Sequence, residues 1–131
     1  MEAEGLVTQQ SSRPAKATID RLAAALAAKG VTIFARIDHG AGAAAVAMSL
    51  RPTELLIFGN AKGGTPLMQE NQAIGIDLPL KALAWEDASG QAWLAYNDPA
   101  WIARRHGLAH SAGPVAAMAT LLTELARHAT T

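Results

Sequence analysis

ELLIFGNAKGGTPLMQ, Glu54 to Gln69, is the stretch on which the fold turns. Leu55 to Phe58 is a near-continuous apolar run, the composition of a strand buried on both faces. It stops at Gly59-Asn60. Lys62 follows between small residues, then Gly63-Gly64, then Thr65-Pro66. The last pair predicts a short helix that opens there and runs to about Glu70. Strand, glycine turn and helix start would set unpaired backbone N–H groups beside a lysine, a layout that attracts anions. GNAKGGT is not a phosphate-loop signature, however: the glycine-to-lysine spacing is wrong and no Gly-Lys-Ser/Thr occurs. The plainer reading is a strand-to-helix turn with Thr65 as cap.

On the N-terminal side, Val31 to Asp38 alternates. Val31, Ile33, Ala35 and Ile37 fall on one face, and Thr32, Phe34, Arg36 and Asp38 on the other, as in a half-buried strand. Gly40 to Leu50 is alanine-rich and ends before Arg51-Pro52, which predicts a short helix. Leu6 to Gln10 can form a first strand. Ser11-Ser12-Arg13-Pro14 reads as a helix start, with serine as cap and proline in the first turn. Ile19, Leu22, Ala23 and Leu26 make an apolar stripe on that helix, and Gly30 is its expected stop.

On the C-terminal side, Leu80–Glu86 and Gln91–Tyr96 are strands around Asp87-Ala88-Ser89-Gly90, a hairpin. With a four-residue loop, Lys81 and Tyr96 face each other across it. Asp98 caps the next helix, with Pro99 at its first position and an end near Gly107. Gly113-Pro114 begins the last helix, with Met118, Leu121, Leu122 and Leu125 on one side. The order β-α-β-α-β-α-β-β-α-α predicts an α+β fold, a mixed or antiparallel sheet of about five strands packed with helices.

The 131 residues point to one domain, spanning 1–131, large enough for a real core. Lysine plus arginine is 11 and aspartate plus glutamate is 11, so neither a nucleic-acid partner nor a basic one is advertised. With no cysteine, disulfides, thiol catalysis and cysteine-bound metal are excluded. MEAEGLVTQQ lacks an apolar core and does not read as a secretory signal. No apolar run approaches a membrane span. A cytoplasmic protein without a membrane partner is the expectation.

Strand Leu55–Phe58 wants cover on both sides, and Trp85 and Trp93 add large apolar surface. A chain of this length leaves a second sheet face to a partner, which predicts a homodimer. The alternative is that the helices divide between the faces.

His39 follows Asp38 at a strand end. Histidine carries protons at neutral pH, and a carboxylate can orient it, which makes His39 a candidate acid or base. Neighbours in a strand point opposite ways, and the histidine can equally cap the helix that follows. The cations Arg104, Arg105 and His106 suit the end of a helix. His39, His106, His110 and His128 lack paired ligand spacing, so no metal is expected, and no motif calls for a cofactor. Two functional readings stand. One is a small-molecule binding domain, with a ligand, anionic or neutral, near the strand ends held by Asn60, Lys62, Gly63, Gly64, Thr65 and Tyr96. The other is an enzyme using His39 on a small carbonyl or carboxylate substrate. A structural or partner-binding homodimer without a ligand is the bland third. With no visible nucleophile–base pair or metal set, the binding domain is preferred.

Three segments carry a family resemblance: TIFARIDHGAGA (Thr32–Ala43), LRPTELLIFGNAKGGTPLMQ (Leu50–Gln69) and GIDLPLKALAWEDASGQAWLAYNDPAWIARRHGL (Gly75–Leu108). Together they resemble the DUF302 family, a domain of unknown function with the TT1751-like fold. The resemblance implies a compact α/β domain that associates as a dimer, and it implies no settled activity. One departure is visible. In the family pattern a proline follows the asparagine, where this chain has Ala61, and proline there would fix φ and stiffen the segment.

Overall fold

The computed structural model describes residues 3–131. Its element order is β1 (Leu6–Ser11), α1 (Ala15–Ala28), β2 (Thr32–Asp38), α2 (His39–Ala45), β3 (Thr53–Gly59), α3 (Ala61–Glu70), a 3-10 turn (Gln72–Asp77), β4 (Leu80–Glu86), β5 (Ala92–Asn97), α4 (Pro99–Arg105) and α5 (Ala112–Thr130). The sheet runs β1-β5-β4-β3-β2, and every pairing is antiparallel. The two strands that come first in the chain therefore sit at opposite edges. Helix α1 connects them by crossing one face of the sheet, touching β2, β3, β4 and β5 on the way.

Several starts and stops follow from local chemistry. Asp98 accepts from Ala100 N at 3.0 Å with Pro99 at the first helical position, as the sequence predicts. Gly30 takes φ +74 just past α1, the left-handed geometry that glycine adopts without a Cβ penalty. The start of α1 is different from expectation. Neither serine caps it. Ser11 Oγ meets Thr18 Oγ1 at 2.7 Å inside the core, and the Glu86 carboxylate, from the end of β4, accepts from Ala15 N at 3.0 Å. A tertiary contact supplies what a local serine does elsewhere.

The core lies on the face that α1 and α5 cover. Leu56 and Phe58 of β3, Leu80, Ala82 and Ala84 of β4, and Leu94 and Tyr96 of β5 meet Ile19, Leu22 and Leu26 of α1 and Leu122 and Leu125 of α5. Glu54 shares this face and is buried, held by Arg36 Nε at 2.9 Å, while Asp20 of α1 takes a second Arg36 nitrogen at 2.7 Å. A second cluster, Leu67, Ile74, Ile102, Ala103 and Val115, joins α3, the 3-10 turn, α4 and α5.

Within the single chain β3 is fully buried on one face only. The strand is interior to the sheet, between β4 and β2, but its burial alternates. Leu55 and Ile57 point to the opposite face and are half-buried there. The register puts Ile37, Leu55, Leu83 and Ala95 in one row of that face, and Thr53, Trp85 and Trp93 in another. The apolar run thus serves two faces with different neighbours. Edge strand β2 carries a register shift between Ile33 and Ala35.

The hairpin corrects the Lys81–Tyr96 pairing. Glu86 pairs with Ala92, leaving five residues between them, and Tyr96 faces Ala82. One extra loop residue moves every side chain of β5 to the other face. Tyr96 is accordingly in the core under the helices, while Lys81 pairs with Ile57 and belongs to the opposite face.

Candidate functional site

The quoted segment does meet a cavity, although not as a loop. Helix α3 begins at Ala61, four residues before the expected Thr65 start, because Asn60 is the better cap. Its backbone is extended (φ -144, ψ 152), and its side chain accepts from Gly63 N at 2.7 Å. Thr65 makes no cap, and Pro66 lies inside the helix. Proline has no N–H to give to the carbonyl four residues back, so the first turns of α3 hold together less tightly than an ordinary helix.

A cavity of about 360 Å³ opens between the start of α3, the end of β3, the β2 side of the sheet and α5. Phe58, Val31 and Leu80 form the inner wall; Met118 and Leu121 come from α5; Met68 and Leu78 close the side toward the 3-10 turn. Phe34 lies at the rim and is 57% exposed. Gly63 permits the close approach of α3 to α5: a Cβ there would stand 3.4 Å from the Met118 methyl and 3.2 Å from Asn60 Oδ1.

Of the residues predicted as a site, Asn60, Gly63, Gly64 and Thr65 line this cavity. Lys62 is exposed and is not part of the lining, and Tyr96 is in the core. His39 is exposed as the first residue of α2, with Asp38 rather than the histidine as cap, accepting from Ala41 N at 2.9 Å. It lines neither this cavity nor the open groove between α2 and Met48–Arg51.

Two polar clusters escaped the sequence reading. Arg105 and His106 at the end of α4 both reach Asp77, at 2.7 and 2.6 Å. Burial alone would raise the Asp77 carboxyl, but the His106 hydrogen bond and the Arg105 charge outweigh it and hold the group below its ordinary range. Glu70, closing α3, accepts from Ser111 Oγ and from the amides of Ala109 and His110, and these bonds lower its pKa. Together the two clusters fasten α3 and the 3-10 turn to the segment between α4 and α5, and so brace one side of the cavity. No group of three or more His, Asp or Glu able to hold a metal occurs among the described residues.

Residues 7–125 match the family described as "Domain of unknown function DUF302". The chain belongs to the DUF302 family. A crystal structure of an uncharacterised conserved DUF302 protein from Bacillus stearothermophilus superposes on this DUF302 domain with a TM-score of 0.85, covering 97% of this chain and 99% of that one at 17% identity. At that identity the likeness is one of fold. Two curated relatives are both named fluoride-specific ion channel FluC 1. The one from Brucella suis biovar 1 (strain 1330) is 55% identical over 104 residues, which is 79% of this chain and 41% of its own length. The one from Brucella abortus biovar 1 (strain 9-941) is 55% identical over the same span and 38% of its length. This DUF302 domain thus spans about two-fifths of those proteins. Among its described residues, no helix is long and apolar enough to cross a membrane.

Proposed function

We propose that this DUF302 domain is a small-molecule binding module whose ligand enters the cavity beside Asn60 and Thr65. One observation carries the reading: an apolar hollow of about 360 Å³, within the size range of small-ligand sites, has two polar side chains at one end of its lining. No nucleophile–base pair accompanies it, and His39 lies outside, which favours binding over catalysis. In the longer Brucella relatives, channel activity would reside in the remaining three-fifths of the chain, and the DUF302 portion would be a ligand-responsive companion.

The test is a thermal-shift screen of small metabolites. A ligand at about 100 times its Kd stabilises the native state by about 2.7 kcal/mol. Leu121→Trp fills the cavity from α5 and removes the shift while the unliganded protein still unfolds cooperatively. A panel in which no compound gives a shift that Leu121→Trp removes refutes the reading.

A homodimer is a second proposal, and the sheet face away from α1 and α5 favours it. Ile37, Leu55, Ile57, Leu83, Trp85 and Trp93 share that face by register, and all keep some exposure. Tryptophan is enriched among the side chains that carry most of an interface's binding energy. Light scattering at micromolar concentration should return twice the 13.6 kDa chain mass, and Leu83→Glu should return the single mass. A monomer at wild type ends the proposal.

A further inference from the structure

From the chemistry of the lining we infer that the ligand of this cavity is uncharged where it is buried, an aromatic or alkyl body with one hydrogen-bond acceptor turned toward Asn60. The inference rests on the binding reading above and names the class of molecule bound. Among the described residues, no charged side chain lines the cavity. Its interior is Phe58, Met68, Leu78, Met118 and Leu121. An anion drawn inside would shed its water and meet no cation, which is among the most unfavourable transfers in a protein. Lys62, the cation nearest in sequence, is exposed and outside the lining.

The helix start offers an anion little in return. Gly63 N is already held by Asn60 Oδ1 at 2.7 Å. The Asn60 amide NH2 and the Thr65 hydroxyl remain as polar handles, both neutral. Met68 and Met118 suit an apolar guest of variable outline, because the unbranched thioether adapts its shape and packs well against aromatic rings. Phe34 adds an aromatic ring to the lining. A volume of about 360 Å³ lies at the small end of the range of ligand sites. The site therefore selects a small neutral molecule, or the uncharged end of a larger one.

Two probes with the same rings separate the outcomes: 2-naphthol, neutral at pH 7, and 2-naphthoate, an anion. Each is titrated by calorimetry into wild type, Leu121→Trp and Thr65→Phe. Thr65 is exposed at the mouth, so its phenylalanine variant blocks entry without disturbing the core. The expected result is that 2-naphthol binds wild type at least tenfold tighter than 2-naphthoate, and that both variants weaken it at least tenfold. Equal or tighter binding of 2-naphthoate, lost in both variants, overturns the neutral class and leaves the cavity as the site. Binding of 2-naphthol that neither variant changes, or no binding of either probe, overturns the cavity itself.

Discussion

Replacing Ala61 by proline should stabilise this protein. The reasoning begins at Asn60, whose extended backbone (φ -144, ψ 152) is the conformation that a following proline demands. Ala61 is then the first residue of α3, where the fixed φ of proline is already helical and the missing N–H costs no intrahelical bond. The gain comes from the unfolded chain, which loses freedom at one residue, and amounts to about 0.4–1 kcal/mol. For a domain of this size each kcal/mol moves Tm by about 3 °C, so the expected rise is about 1–3 °C. Differential scanning calorimetry resolves that difference. Two companions sharpen it. Asn60→Ala removes the cap and should lower stability by about 1 kcal/mol, whereas Thr65→Ala, at an exposed mid-helix position, should stay within about 0.5 kcal/mol. If Ala61→Pro lowers Tm and Thr65→Ala costs more than Asn60→Ala, the helix begins at Thr65 and the account of the cavity mouth is wrong.

Two more outcomes are expected. Asp87 accepts from Trp93 Nε1 at 2.9 Å and from the Ser89 hydroxyl and the amides of Ser89 and Gln91, and these bonds lower its pKa from 3.8 to about 2. A depressed carboxylate stabilises the fold fully above its unfolded pKa and loses that contribution as pH falls through the folded value. Urea unfolding followed by tryptophan fluorescence should show Asp87→Ala less stable than wild type at neutral pH, with the gap closing between pH 3.8 and about 2; a constant gap would contradict the assignment. At Gly30, where a Cβ would meet nothing within 4 Å, Gly30→Ala should cost about 1–2 kcal/mol through backbone strain alone. Gly30→Asn should cost less in the same melt, since asparagine tolerates left-handed φ; equal costs would point to a cause other than φ.

What the sequence discloses here is what neighbours in the chain decide. Asp98-Pro99 and Gly30 mark helix ends by chemistry within a few residues, and both are where the composition puts them. Helix α3 misleads because two cap candidates compete. The Gly63-Gly64 pair looks like a turn until the Asn60 side chain is seen holding Gly63 N. The start of α1 could not be read, since its cap is Glu86, 71 residues away. The hairpin register hangs on a single residue, Gln91, whose N–H turns back to the Asp87 carboxylate and lengthens the loop. That one position sends Tyr96 inward and removes it from the proposed site. The cavity draws on β2, β3, α3, the segment after the 3-10 turn and α5, and no spacing in the chain records such a meeting. The Asp77–His106 contact, 29 residues apart, is illegible for the same reason.

The register shift in β2 has a consequence for the free edge of the sheet. An outer strand with a straight ladder would offer its free amides and carbonyls to the next molecule, and Phe34 and Ile37 would make such stacking adhesive. The kink between Ile33 and Ala35 interrupts that template and twists the border away from a flat mate. An interrupted edge is a poorer template for strand addition, so exposed apolar residues there carry less risk of seeding a fibril than they would on a straight one.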